Sequence, residues 1–82
     1  MTKQEIQAQL ENVFKQVFNQ EIKLSDKTTA NDVESWDSLN HVILMKAIEE
    51  RFEIEFDLFE MIDMKSVGDI IDAIQTKLDA GN

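Results

Sequence analysis

Three stretches of this chain set apolar residues at three- and four-residue steps, a period that makes helices rather than sheet the building blocks. In the first, Ile6, Leu10, Val13, Phe14, Val17 and Phe18 form one stripe, and Thr2-Lys3-Gln4-Glu5 before it has capping-box spacing. A first helix is therefore expected from about residue 3 to about 19. Its polar positions, Lys3, Gln7, Glu11 and Lys15, read as a plain solvated face. In the second stretch His41, Leu44, Met45, Ile48 and Phe52 recur on one side of a helix starting at Asp37 or Ser38 and ending near Phe52. The third is Val67, Ile70, Ile71, Ile74 and Leu78, opened by Ser66 as N-cap with Asp69 three residues on. It should end in a frayed Ala80-Gly81-Asn82.

The intervals carry no competing pattern. Residues 20 to 36 lack helical period and are rich in Ser, Thr, Asp and Asn, so they read as a long connection. Such connections are uncommon unless tied down, and Ile22, Leu24, Val33 and Trp36 can serve as apolar pegs. Trp36 is expected to pack rather than to stack on a ligand. Ile54 and Phe56 alternate briefly, but a strand over residues 52 to 56 would have no partner. A short helix around 57 to 62 is the better expectation. The sum is an all-α domain over residues 1–82, a four-helix bundle with a long first loop and a short third helix.

At 82 residues the core must be thin, since a chain this size buries only about 60–65% of its unfolded surface. Seventeen acids against eight bases give a formal net charge of −9, which repels nucleic acid and anionic membrane. No apolar run is long enough to cross a bilayer and no basic-then-apolar leader opens the chain. The expectations are a cytoplasmic monomer, without nucleic-acid binding or membrane insertion.

Catalysis finds little support in the residues. There is one His, no Cys, no Tyr and no glycine-rich phosphate loop. Asp37, Ser38 and His41 supply triad residue types, yet neighbours on one helical turn cannot converge as nucleophile, base and orienting acid. His41 is expected to pack or cap. The acids between 53 and 63 lack calcium-loop spacing and read as a solvated rim, so neither catalytic nor metal-ligating residues are assigned.

Ser38 is different. Asp37 and Ser35 can each cap the second helix, which leaves Ser38 at or just inside its first turn with its hydroxyl free. An anion attached there would face unpaired amides and the positive end of the helix dipole. Beside it, Leu39, Val42 and Ile43, then Lys46, Glu49, Glu50 and Glu53, lie opposite the core stripe. An apolar patch rimmed by charge has the look of a docking surface; a central helix buried on both faces would look the same.

Asp37-Ser38-Leu39, the segment EERFEIEF (Glu49 to Phe56) and the segment SVGDIIDAI (Ser66 to Ile74) together resemble the acyl carrier protein family. The likeness covers nearly the whole chain. It implies that a phosphopantetheinyl transferase, using coenzyme A and magnesium, attaches 4′-phosphopantetheine to Ser38, with Asp37 assisting. The arm's thiol, imported into a chain that has no cysteine, would then carry acyl groups as thioesters. Leu39, Val42, Ile43, Lys46, Glu49 and Glu50 would form the face that docks on acyl-loading and acyl-transferring enzymes bearing basic patches. The helices would shelter the acyl chain between them.

Several positions depart from the family's pattern. Asn40 stands where fatty-acid carriers place an aspartate, Ile43 where they place a glutamate, His41 at an acid or threonine position and Lys46 at an apolar one. A face less acidic near the serine points to a specialised carrier of polyketide, polysaccharide-modifying or aminoacyl chemistry. The short chain with its own Met1 suggests a free-standing protein. Two alternatives stay open: an aminoacyl, peptidyl or D-alanyl carrier, and an unmodified helical adaptor that binds partners through the second helix.

Overall fold

A computed structural model describes residues 1–80 of the chain as four α-helices and one turn of 3₁₀ helix. The helices are α1 (Lys3–Phe18), α2 (Ser38–Phe52), α3 (Leu58–Asp63) and α4 (Val67–Ala80), and the 3₁₀ turn spans Ala30–Asp32. Among the described residues there is no strand, only an isolated antiparallel bridge between Thr29 and Ser66. Ala80 belongs to α4; the remainder of the expected frayed end, Gly81 and Asn82, lies outside the described residues.

Local chemistry sets the ends. Thr2 Oγ1 accepts from Glu5 N at 3.1 Å while Glu5 Oε1 accepts from Thr2 N at 2.9 Å, closing the capping box of α1. Asp57 and Glu60 do the same for α3. At the other ends the backbone turns left-handed, at Asn19 (φ 55°) after α1 and Glu53 (φ 57°) after α2. That is why α1 stops at Phe18, one residue short of expectation.

The three apolar stripes meet in one core. α1 packs on both α2 and α4, and Ile6, Leu10, Phe14, Leu44, Ile48, Ile70 and Ile74 are fully buried. Phe52 and Trp36 close the two ends of α2, nearly buried. His41, assigned to the stripe by period, is only half-buried; its polar ring sits at the edge of the core, where both nitrogens reach partners.

The long connection is held by hydrogen bonds that periodicity does not reveal. Gln7 and Glu11 are not a plain solvated face. Gln7 Nε2 donates to Leu24 O and Glu11 Oε2 accepts from Leu24 N, each at 2.9 Å. With both backbone groups satisfied by α1, Leu24 can bury its side chain. Further on, Asp26 O accepts from Gly68 N and Thr28 O from Val67 N, each at 2.8 Å, so loop carbonyls take up the first amides of α4. A Cβ on Gly68 would lie 2.7 Å from Asp26 O, so only glycine allows this approach.

α3 is held lightly. Met61 is its one buried residue. Glu60 Oε1 receives Lys77 Nζ of α4 at 2.9 Å. The Asp57 backbone N–H and then the Lys77 ammonium hold the Glu60 carboxyl below its ordinary value of 4.5.

Three outcomes follow from this packing. Leu44→Ala or Phe52→Ala should cost about 2–5 kcal/mol in a urea melt, through lost burial and an unfilled cavity. Gly68→Ala should destabilise by about 1–3 kcal/mol, although helix propensity alone would favour alanine by about 1 kcal/mol, because the methyl group breaks the Asp26 contact. Since Glu60 has a folded pKa below its unfolded one, its stabilisation is complete above the unfolded value and lost as pH falls through the folded one. Glu60→Gln should therefore lower the melting temperature at pH 7, and the difference from wild type should shrink as pH falls through the folded pKa of Glu60.

Candidate functional site

Residues 33 to 37 form a compact turn that aims α2. Trp36 N donates to Val33 O at 3.0 Å, and Asp37 N to Ser35 O at 3.1 Å. Asn40 Nδ2 then donates back to Ser35 O at 2.7 Å, fastening the turn to the first turn of the helix. Asp37 is the N-cap: its backbone is extended, and Oδ1 accepts from Asn40 N at 2.8 Å. Asp37, not Ser35, does the capping. Ser38 follows as the first helical residue, exposed, and among the described residues its hydroxyl has no hydrogen-bond partner. This is the free alcohol that the spacing predicts.

Behind Ser38 lies a bridge of three residues. The indole Nε1–H of Trp36 donates to His41 Nδ1 at 2.9 Å, and His41 Nε2 is 2.7 Å from Met61 O. An indole N–H can only donate and a carbonyl can only accept, so the imidazole carries its proton on Nε2 and donates it to Met61. The two rings lie nearly parallel, their planes 17° apart and their centroids 6.0 Å apart. The other side of Trp36 meets Phe14 of α1 edge-on, centroids 5.2 Å apart. Trp36 is a packing residue, and His41 joins α2 to α3.

In front of the bridge a cleft of about 400 Å³ opens beside Ser38. His41 and Val42 contribute one wall, Leu58, Met61 and Ile62 the other, and Lys65 stands on its rim. Its lining is mainly apolar.

The face of α2 opposite the core is open rather than sandwiched. Leu39 is 72% exposed, Val42 45% and Ile43 48%. Lys46 and Glu50 are exposed as well. Glu49 differs from its neighbours: its side chain is only 14% exposed, Oε2 accepts from Phe56 N at 2.7 Å, and Oε1 pairs with Lys46 at 3.5 Å. Most of that carboxylate is turned to pinning the chain after α2.

Sequence reasoning expected α3 but overlooked its outer face. Leu58, Phe59 and Ile62 are 64%, 77% and 59% exposed, a second apolar face across the cleft from the first. The signal was present in the one- and four-residue spacing of these three, with Met61 alone directed inward.

No protein-family model matches the chain, and a comparison with curated proteins finds no match. Solved structures do match. The chain is similar to the holo acyl carrier protein of Geobacter metallireducens, determined in solution, at 39% identity over 90% of this chain and 86% of that one, with a TM-score of 0.83. It is also similar to an acyl carrier protein of Thermotoga maritima, at 17% identity over 98% of this chain and 94% of that one, with a TM-score of 0.88. The second likeness speaks for the fold alone. The first, at that identity over nearly the full length of both chains, makes this a carrier rather than an enzyme: the chain belongs to the acyl carrier protein family.

Proposed function

We propose that the protein carries acyl intermediates as thioesters on a 4′-phosphopantetheine arm attached to Ser38, and delivers them to the enzymes of a fatty acid, polyketide or other specialised pathway. The single observation that carries this reading is the exposed, unpartnered hydroxyl at the first position of α2. The similar chain from Geobacter metallireducens is described as a holo protein, which agrees with a prosthetic group here.

The surroundings of Ser38 suit the arm. The opening amides of α2 and the positive end of its dipole favour a phosphodiester at that point. Asp37, one residue before, is placed to assist attachment by a transferase that brings coenzyme A and magnesium. In that step Ser38 Oγ bonds to the phosphorus nearer pantetheine; the phosphoanhydride breaks, and adenosine 3′,5′-bisphosphate leaves with the serine's proton. Once attached, the arm supplies a thiol that this cysteine-free chain lacks. The cleft next to Ser38 gives an apolar acyl group a surface on which to lie.

For docking, the exposed Leu39, Val42 and Ile43 of α2 are the central contacts, with Lys46 and Glu50 at their rim. Leu58, Phe59 and Ile62 extend that face across the cleft. Glu50 and the exposed acids Glu53, Glu55 and Asp57 suit partner enzymes with basic patches. The apolar centre favours a specialised pathway over primary fatty acid synthesis. We take residues 1–82 as one carrier domain acting as a monomer in the cytoplasm; no helix among the described residues is long and apolar enough to cross a membrane.

Incubation with coenzyme A and a promiscuous phosphopantetheinyl transferase should add one phosphopantetheinyl group to the wild type and none to Ser38→Ala, read by intact mass. No gain on the wild type, or an equal gain on the variant, would remove the carrier reading. An unmodified adaptor would instead keep partner binding in Ser38→Ala and lose it in Val42→Asp.

A further inference from the structure

We propose that His41 is a positioning residue that bars the way from Ser38 into the core, so that cargo tethered at Ser38 lies in the surface cleft between α2 and α3. The inference rests on the reading that Ser38 bears an acylated arm. It goes beyond that reading in naming where the cargo stops and what stops it.

The bar is the hydrogen bond from His41 Nε2–H to Met61 O, which spans the base of the cleft at 2.7 Å. It is itself held from behind. Trp36 donates to the opposite ring nitrogen, and its indole is lodged against Phe14, so the imidazole cannot swing away without disturbing a nearly buried residue. An alkyl chain passing between His41 and Met61 would part an N–H from a carbonyl and offer neither a replacement, which is the costly way to lose a hydrogen bond. Beyond the bar, Leu44, Met45 and Ile48 are already fully buried, with no solvent-exposed area for a chain to cover. In front of it the balance is reversed. Val42, Leu58 and Ile62 are all about half exposed or more, so a chain lying over them removes apolar surface from water and breaks nothing.

The tie also governs α3. That helix contributes one buried side chain, and its link to α2 through His41 joins residues twenty apart in sequence. Without the tie the far wall of the cleft would lose its register on the near one.

The test loads acetyl, hexanoyl and decanoyl groups from their coenzyme A thioesters with a promiscuous transferase, on wild type, His41→Ala and His41→Gln. The side-chain amide nitrogen of glutamine can still donate to Met61 O. In ¹H–¹⁵N and methyl spectra of the wild type, decanoyl should shift Val42, Leu58, Met61 and Ile62 and leave Leu44, Met45, Ile48 and the single indole N–H in place. In His41→Ala the decanoyl chain should shift those core residues too, and His41→Gln should restore the wild-type pattern. Core shifts of equal size in wild type and His41→Ala would overturn the proposal. Loading is read first by intact mass, so a chain that accepts no arm sinks the carrier reading and not the bar. The bar is then read in the unloaded protein: the amides of Met61 to Met64 should exchange about three- to tenfold faster in His41→Ala, the factor expected for one net hydrogen bond, while those of α1 and α4 hold. Unchanged exchange at α3 would equally overturn it, and the same measurement on His41→Gln covers the case in which the alanine variant does not fold.

Discussion

The site depends on how the backbone between α1 and α2 finds hydrogen-bond partners. Residues 19 to 37 form no helix longer than the single 3₁₀ turn, and their local turns, such as Thr28 N to Ser25 O and Trp36 N to Val33 O, satisfy only part of their amides and carbonyls. At Leu24, Asp26 and Thr28 the partners come from outside the segment. α1 supplies Gln7 and Glu11 to Leu24, and α4 supplies its first amides to Asp26 and Thr28. With those points held, Val33 and Trp36 reach the core, and the turn that follows presents Ser38 at the surface. An irregular segment becomes as determined as a helix when enough of its polar groups have assigned partners.

Much of the architecture was legible because it follows from period and capping. Thr2 with Glu5 and Ser66 with Asp69 announce helix starts by chemistry that needs only three residues of separation, and both pairs form. The free hydroxyl of Ser38 was legible for the same reason, since residues before it, Asp37 among them, can cap the helix in its place. What escaped was long-range. Nothing local tells that Gln7 and Glu11 hold a loop thirteen or more residues away, or that Glu49 receives the amide of Phe56. His41 fell on the apolar stripe by angle, yet its ring is used for two polar contacts at the stripe's edge. Period assigns a side to a residue; it does not say which atoms there need partners.

Charge and apolar surface divide the outside of the molecule. A net charge of −9 on 82 residues makes association with basic surfaces fast and sensitive to salt. The apolar residues on α2 and α3 act at shorter range and only after contact, since their contribution comes from water removed. On the proposed reading, a partner docking on this surface is drawn by one property and held by another. Glu49 illustrates why a sequence-level roll of acids overstates the first: its carboxylate is already engaged with the chain that leads to α3.

The contact of Gly68 with Asp26 has a consequence for the whole molecule. Because the final helix borrows loop carbonyls for its opening amides, loop and helix share those bonds and must melt as one unit. The serine at the head of the second helix is thereby moored to the far end of the polypeptide. Trimming that last helix would cast off the loop, and Ser38 would drift even though no residue near it had been touched.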